Sequence, residues 1–276
     1  MMTQAAKQFD ELHLSYSQIN TFMTCSLKYY FHYVERADPE MLSVALPFGK
    51  TIHAAIERYY KKIKAGGPAE DSATLGDFFE ETFLCNTAND SVPLAFNKTT
   101  PDIKTCIRMG RAMLNAFCNN NPVVESGAEI VGVELPLTAD LYNENKESLD
   151  LKLVGVVDLL LKRPDGQLVT VDYKTSASAY QQADVIQDLQ QSAYSYLLSA
   201  NRLTSPKSPT QGEFHVLRKL KKPKLEIYKT HRSPANRKRF AKIAGLVATA
   251  IENRLYMPNR SYLCKSCSYA TACQKW

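Results

Sequence analysis

The stretch LVGVVDLLLKRPDGQLVTVDYKT, residues 153–175, consists of two apolar runs separated by a turn signal. Apolar runs on either side of Pro-Asp-Gly are typical of two β-strands joined in a hairpin. The first predicted strand carries Asp158, and the second carries Asp172 and Lys174. Side chains two residues apart in a strand share a face, so Asp172 and Lys174 point the same way.

The length of the turn decides whether Asp158 faces Asp172. A two-residue loop over 165–166 would place the two aspartates on opposite faces of the hairpin. A three-residue loop over 164–166 would place them directly opposite each other on one face. We predict the three-residue loop, because Gly166 suits the left-handed position that such a loop needs.

Two carboxylates and one ammonium group on apolar strands are costly unless a partner compensates their charge. A divalent cation is a natural partner, and hard oxygen ligands favour Mg²⁺ or Mn²⁺. Lys174 could then orient or deprotonate a water, or neutralise charge on a phosphate. The residues alone leave a second interpretation open, in which the hairpin is held only by salt bridges.

The hairpin lies within an alternation of helical and strand patterns that predicts a mixed α/β domain. Apolar residues at helical spacing precede it, and a further helix separates it from two more strands. The predicted helices cover about 17–34, 48–65, 75–86, 100–117, 184–200 and 234–255, and the predicted strands cover 129–138, 151–162, 167–175, 213–220 and 225–230.

The composition of the 276 residues excludes several classes of protein. With 45% hydrophobic and 22% charged residues, the chain is neither disordered nor fibrous. Its net charge of +6 weakly favours a polyanionic partner and equally fits an ordinary basic enzyme. We find no secretory signal and no apolar run that reaches membrane-spanning length, so we expect a cytoplasmic protein without a membrane partner.

The acidic hairpin resembles the core of the PD-(D/E)XK nuclease superfamily, and more narrowly its RecB-type branch. Three further motifs match that branch. His53 follows Gly49-Lys50-Thr51-Ile52, Glu134 lies on the strand before the hairpin, and Gln190 and Tyr194 share a face of the next helix. Without the resemblance, His53 could be structural, Glu134 could be a solvated strand residue, and the Gln-Tyr pair could belong to any amphipathic helix.

The resemblance implies a role for each of these residues. Mg²⁺ or Mn²⁺ would be held by His53, Asp158, Asp172 and the carbonyl group of Tyr173. Lys174 would assist the attacking water and stabilise charge in the transition state. The supporting residues of the catalytic site would be Glu134, Gln190 and Tyr194.

Three of the seven cysteines lie at the C-terminus in the spacing C-x2-C-x5-C, as Cys264, Cys267 and Cys273. An odd number of cysteines without an export signal favours metal binding or burial over a disulfide framework. Cys25 is our candidate for a fourth ligand, and four thiolates suit either zinc or an iron–sulfur cluster. One N-terminal and three C-terminal cysteines resemble the iron–sulfur nucleases of the AddB and CRISPR-associated types, which implies a 4Fe-4S cluster. Ser26 stands where those nucleases commonly have proline.

Two basic groups are candidates for contact with nucleic acid. The first lies in a predicted hairpin, and the second begins the last predicted helix. Positive side chains at a helix N-terminus oppose the helix dipole, and a nearby phosphate would relieve this. A solvated surface is the alternative for both groups. The candidate residues are Lys219, Lys221 and Lys222 in the first group and Arg237, Lys238 and Arg239 in the second.

Together these observations predict a metal-dependent DNA nuclease with a restriction-endonuclease-like α/β fold. We expect one domain over 1–276, a mixed sheet flanked by helices, a helical insertion over 66–127 and a cysteine tail over 261–276 that pairs with Cys25. The substrate would be single-stranded DNA or DNA ends, in repair, recombination or CRISPR adaptation, with a helicase or an integrase as a separate partner. The alternatives are a DNA-binding assembly subunit with an idle site and a zinc-stapled protein with no nucleic-acid role.

Overall fold

The structure of the protein is a computed structural model that describes residues 13–88, 92–123, 126–143, 145 and 147–276. A six-stranded mixed sheet forms the centre of the fold, and helices pack on both of its faces. This arrangement confirms the mixed α/β class that the alternation of helical and strand patterns predicts.

The helices and strands of the described residues follow the predicted order with a few additions. The strands are β1 (His13–Ser15), β2 (Leu42–Ser43), β3 (Leu94–Ala95), β4 (Glu129–Tyr142), β5 (Ser148–Lys162), β6 (Leu168–Ser176), β7 (Thr210–Arg218) and β8 (Lys224–Arg232). The helices are α1 (Tyr16–Thr24), α2 (Ser26–Tyr29), a π-helical turn (Tyr30–Val34), α3 (Ala45–Lys64), α4 (Ser72–Thr87), α5 (Ile103–Asn120), α6 (Gln182–Gln187), α7 (Leu189–Ala200), α8 (Pro234–Glu252), a 3-10 turn (Tyr262–Ser266) and α9 (Ala270–Lys275).

The long strand β5 organises the central sheet. Strand β4 pairs antiparallel along one edge of β5, while β1 and β6 pair with different parts of the other edge. Beyond β6 the order continues with β7, which is parallel to β6, and then with the antiparallel β8. A parallel pair needs a crossover connection, and α6 and α7 provide it between β6 and β7.

The two faces of the sheet are covered by different helices, and each has its own apolar core. Helices α3, α4 and α5 pack on one face around side chains such as Phe79, Phe117 and Tyr173. Helices α1, α7 and α8 pack on the other face around residues such as Val157 and Leu197. A buried layer on each side of the sheet therefore fixes the positions of the strand ends that carry charged residues.

Two helices that the periodicity predicts as continuous are interrupted. The first breaks at Cys25, whose extended backbone (φ −162°, ψ 107°) separates α1 from α2. The other breaks at Asp188, whose side chain accepts a hydrogen bond from the backbone N–H of Gln190 and caps α7. A short polar side chain such as that of Asp188 competes with helical hydrogen bonding, which is why apolar periodicity does not detect the break at this residue.

Strand β1 is a further difference from the prediction, since three residues are too few for a strand pattern. Among the residues that the structure describes, no helix has the length and apolar character needed to cross a membrane.

Candidate active site

The β5–β6 hairpin has the register that places its two aspartates opposite each other. The pairs run from Lys162 with Leu168 to Leu159 with Val171, and one further step brings Asp158 opposite Asp172. Gly166 lies in the turn with φ 84°, in the left-handed region. The predicted three-residue loop is therefore confirmed, and it sets the two aspartates in register across the hairpin.

Glu134 joins this pair from β4. It lies between the pairs Val133–Leu159 and Leu135–Val157, so it faces Asp158 across the strands. Burial and the nearby carboxylates of Asp158 and Glu57 raise the pKa of Glu134 to about 8. Its backbone has φ 46°, which is unusual for a residue with a side chain. A concentration of negative charge in a partly buried place is what a bound cation would relieve.

His53 reaches the same place from α3. Its Nδ1 lies 3.3 Å from Oδ2 of Asp158, and one ligand atom each from His53, Glu134 and Asp158 lies within 4.8 Å of the others. One imidazole nitrogen and two carboxylates are a donor set that suits a divalent metal. Three elements that are distant in the chain, α3, β4 and β5, thus supply one candidate metal site.

Asp172 belongs to an adjoining hydrogen-bond network. Its carboxylate is fully buried, and its Oδ2 lies 2.8 Å from Nζ of Lys174. Gln190 donates from Nε2 to Oδ1 of Asp172 at 2.6 Å and accepts from Nζ of Lys174 at 2.7 Å. The hydroxyl group of Tyr194 donates to Oδ1 of Asp172 at 3.2 Å. The four predicted residues therefore form one connected hydrogen-bond network through Asp172 and Gln190.

The electrostatics of the network keep Lys174 charged. Burial opposes the charge of the ammonium group, but the carboxylates of Asp172 and Asp158 outweigh it and raise the pKa of Lys174. Burial is also the main cause that raises the pKa of Asp172, and the ammonium group of Lys174 counteracts it. An ammonium group beside the candidate metal site suits charge stabilisation.

Tyr173 contributes its backbone to the site and its side chain to the opposite core. Its N–H donates to Oδ2 of Asp158 at 2.9 Å, which orients that carboxylate. Its hydroxyl group lies 2.7 Å from that of Tyr60, within the core on the other face of the sheet. Metal ligation by the carbonyl group of Tyr173 remains a prediction, as does ligation by Asp172, which lies outside the group of His53, Glu134 and Asp158.

Sequence reasoning missed two tyrosines and an aspartate close to Lys174. Burial and the carboxylate of Asp188 raise the pKa of Tyr16, while Lys174 lowers it. Lys174, Asp172 and Asp188 likewise act on the pKa of Tyr180, after burial as the main cause. Tyr16 follows a strand too short to predict, and Tyr180 lies in a loop, so neither position carries a periodic signal. Asp188, two residues before Gln190, could have been found as an N-cap.

The four cysteines predicted to form one site line one cavity of about 530 Å³. Cys25 comes from the break between α1 and α2, and the other three come from the C-terminal tail. Burial is the first cause that raises the pKa of the Cys273 thiol, and Cys25, Cys267 and Cys264 add to it. The structure therefore brings the N-terminal and C-terminal thiols together.

The basic residues predicted to contact nucleic acid divide into exposed and interior groups. Lys221, Lys222, Lys238 and Arg239 are exposed. The prediction for Arg237 is wrong, because its buried guanidinium group donates to Oγ of Ser195 and to the carbonyl groups of Pro206 and Ser208.

Lys219, which was also predicted to contact nucleic acid, is partly buried. Its Nζ lies 4.2 Å from the ring centroid of Phe48, and burial lowers its pKa. A cation held over an aromatic face in this way is a packing contact as much as a surface charge.

Comparison with known families identifies the class of protein that has this fold and this arrangement of His53, Asp158, Asp172 and Lys174. The family model described as the PD-(D/E)XK nuclease superfamily matches residues 13–274. The chain belongs to this superfamily, whose members use divalent metals.

One solved structure extends the comparison to the fold, and a second matches less well. A crystal structure from Eubacterium rectale, provisionally named an exonuclease, matches with a TM-score of 0.56 and 12% sequence identity, over 98% of this chain and 93% of that chain. The crystal structure of SSO0001 matches with a TM-score of 0.40 and 12% identity, over 94% of this chain and 95% of that chain. No curated protein matches the chain.

Proposed function

We propose that the protein is a RecB-like deoxyribonuclease that hydrolyses phosphodiester bonds in single-stranded DNA or at DNA ends. The observation that carries the proposal is the contact between two groups of residues. His53, Glu134 and Asp158 form a donor set for a divalent metal, and Asp158 also faces the network of Asp172 and Lys174. Membership of the PD-(D/E)XK superfamily supports the same reaction class.

The donor set fits Mg²⁺ or Mn²⁺, since carboxylate oxygens provide hard ligands and the crowding of Glu134 by Asp158 and Glu57 in a partly buried place would be relieved by a bound cation. The chemistry that such an ion supplies when bound is polarisation of a phosphate and acidification of a water. Asp158 is oriented for ligation by the backbone N–H of Tyr173. Lys174 offers a fixed positive charge to the phosphate, and Gln190 and Tyr194 hold the Asp172–Lys174 pair in place.

Cleavage of end-labelled DNA tests this proposal. Single-stranded and duplex DNA would be incubated with Mg²⁺, Mn²⁺ or EDTA, and with the variants Asp172→Asn and Lys174→Ala. We expect metal-dependent cleavage that falls by roughly 100- to 1,000-fold in both variants, since both remove a preorganised charge. Asp165→Asn and Lys162→Ala are matched controls, because both residues are exposed on the same hairpin and lie away from the site.

The outcome separates the nuclease from the alternative role. Equal cleavage by wild type and both variants would overturn the assignment of the site. Retained DNA binding without any cleavage by wild type would favour the DNA-binding assembly subunit instead. The two labelled ends also report whether the enzyme acts as an exonuclease.

The proposal includes a 4Fe-4S cluster held by Cys25, Cys264, Cys267 and Cys273. All four thiols line one cavity, and their backbone surroundings suit sulfur ligands, since the N–H groups of Asn259 and Ser261 point to Cys25 and Cys264 at 3.5 and 3.4 Å. Four thiolates suit either a zinc ion or a cluster, and the resemblance to the AddB and CRISPR-associated nucleases favours the cluster.

Iron and sulfide analysis of anaerobically purified protein, with its visible spectrum, tests this part of the proposal. About four irons for each chain are expected for a 4Fe-4S cluster. A colourless protein with one zinc would overturn it. By resemblance we extend the proposal to a single domain over 1–276 with an insertion over 66–127, acting in DNA repair, recombination or CRISPR adaptation beside a helicase or integrase.

A further inference from the structure

A second cavity lies next to the proposed catalytic lysine, and two of its lining residues are Tyr180 and Asp188, the neighbours of Lys174 described above. Its volume is about 290 Å³, close to the lower end of the roughly 300–1,000 Å³ range of drug-sized ligand pockets. It opens between the loop after β6, the short helix α6 and the start of α7, and its floor is formed by Val185 and Phe214. Both floor residues are almost fully buried.

The cavity is joined to the catalytic network through its floor and its rim. Phe214 pairs with Asp172 in the β6–β7 register, so the two side chains lie on the same face of the sheet. Nζ of Lys174 lies 5.9 Å from the ring centroid of Phe214. At the rim, Asp188 accepts the N–H of Gln190, the residue that holds Asp172 and Lys174. A group inside the cavity would therefore be a close neighbour of a phosphate at Lys174.

The lining of the cavity has a chemical character that selects its ligand. Tyr180 forms a partly exposed aromatic wall and packs near Phe214 and Tyr228, with ring centroids 6.2 and 5.8 Å apart. The carboxylates of Asp184 and Asp188 also line it, and none of the described lining residues is Lys, Arg or His. Such a lining repels phosphate, accepts hydrogen bonds from N–H groups and stacks against a flat ring.

We propose that this cavity is a subsite for one unpaired nucleobase, that of the nucleotide next to the scissile phosphate. Rings stacked on aromatic side chains and N–H edges facing carboxylates are recurrent in single-strand recognition. The proposal rests on the nuclease function proposed above and deepens it. A base within a duplex cannot enter the cavity without being unpaired, so the subsite makes single-stranded DNA the preferred substrate.

The experiment fills the cavity with a tryptophan side chain and measures whether the cleavage rate still depends on the presence of the base. Ala179 lines the cavity, whereas Ala177 is an equally exposed residue of the same loop that does not. Ala179→Trp and Ala177→Trp are therefore a matched pair. Each would be incubated with end-labelled single strands that carry one abasic nucleotide, and cleavage of the bond beside that nucleotide would be compared with cleavage in the intact strand.

The wild type and Ala177→Trp should cleave the bond beside the abasic nucleotide roughly tenfold more slowly, because base–aromatic stacking is lost. Ala179→Trp should cleave intact and abasic strands at equal rates, and its KM for single strands should rise. An equal loss in all three proteins, or no loss in the wild type, would overturn the subsite.

A binding measurement in EDTA keeps this result separate from the nuclease proposal. A single strand with 2-aminopurine reports stacking by a change in fluorescence, and the change should occur with the wild type and Ala177→Trp but be absent with Ala179→Trp. If the wild type binds in this way and never cleaves, the subsite stands and the nuclease proposal fails. If the wild type cleaves and all three proteins give the same fluorescence, the nuclease proposal stands and the subsite fails.

Discussion

Gln190 contacts both charged members of the catalytic network through opposite ends of one amide group. Its Nε2 donates to Asp172 and its Oε1 accepts from Lys174, so the amide fixes the distance between carboxylate and ammonium. It also donates to the hydroxyl group of Tyr194 at 3.0 Å. We therefore expect Gln190 to position the two charged side chains and not to react itself.

Gln190→Ala should lower kcat by about 100-fold, since a misplacement of reacting groups by about 1 Å has an effect of that size. The affinity for Mn²⁺ should change much less than kcat, because His53, Glu134 and Asp158 are untouched and the carboxylate of Asp172 is retained. Single-turnover cleavage and a Mn²⁺ titration of the same protein check the two statements. Gln187→Ala, on the exposed surface of α6, is the control, and a loss of Mn²⁺ binding in Gln190→Ala would contradict the positioning role.

Arg237 should matter for stability and not for contact with DNA. Arg237→Ala would leave the buried hydroxyl group of Ser195 without its donor, a loss that costs about 1–3 kcal/mol, and would also remove the donor to the carbonyl groups of Pro206 and Ser208. Urea unfolding should show a large decrease in the free energy of unfolding. The neighbouring Lys238→Ala, on an exposed side chain, should leave stability unchanged. Unaltered stability with weakened DNA binding in Arg237→Ala would restore the original expectation.

The residues differ in how far they could be predicted. Asp158, Asp172 and Lys174 could be predicted from the sequence, because charged residues stand out in an apolar strand and the turn residue Gly166 sets the register of the hairpin. The burial of Arg237 could not be predicted. In a sequence, a basic residue gives no sign of whether its acceptors are phosphates or distant backbone carbonyl groups. Only the tertiary fold brings the loop over 206–208 to α8.

At the scale of elements, the helix breaks at Cys25 and Asp188 are the features that apolar periodicity does not reveal. Each break lies at a candidate site. Cys25, at the first break, lines the cysteine cavity, and Asp188, at the second, caps α7 beside the proposed catalytic network. Buried Arg232 donates to the carbonyl groups of Val185 and Asp188 at 2.8 Å. A residue of strand β8 therefore supplies the hydrogen-bond donor for the carbonyl groups at the end of α6. That stabilisation is tertiary, and the local sequence carries no sign of it.

Close packing between α4 and α5 leads to a prediction about Gly110. A Cβ atom at Gly110 would lie 2.2 Å from Cε1 of the buried Phe79. Gly110→Ala should therefore lower the free energy of unfolding by about 1–3 kcal/mol through overpacking. Gly245→Ala is the matched control in α8, where the nearest atom is 3.5 Å away and the helix should gain about 0.5–1 kcal/mol. Equal effects of the two substitutions in urea unfolding would contradict this account.

At the scale of the whole molecule, the cysteine cavity connects the two ends of the described chain. Around it, the N–H of Met257 donates a hydrogen bond to Oγ of Ser26, and the N–H of Thr271 donates to Glu40 at 2.7 Å. Leu27, Phe31 and Tyr269 form a small apolar cluster against Cys25, Cys267 and Cys273. The tail is thus docked by ordinary contacts as well as by any metal group, and these contacts preorganise the four thiols.

The proposed cluster should stabilise the molecule as a covalent link between distant segments. In the chain-entropy description of cross-links, closing a loop as long as the one from Cys25 to Cys264 contributes up to roughly 5 kcal/mol. Because the docking contacts also restrain the tail, we expect Cys273→Ser to lose about half of that value, which corresponds to a decrease in Tm of about 5–10 °C in a protein of this size. Cys85→Ser, at an exposed cysteine of α4 outside the cavity, should stay within about 0.5 kcal/mol of the wild type. Thermal unfolding of the three proteins, purified anaerobically and assayed for iron, is the measurement. If Cys273→Ser loses its iron and keeps the Tm of the wild type, the cluster is not a stabilising link, and the docking contacts alone hold the tail.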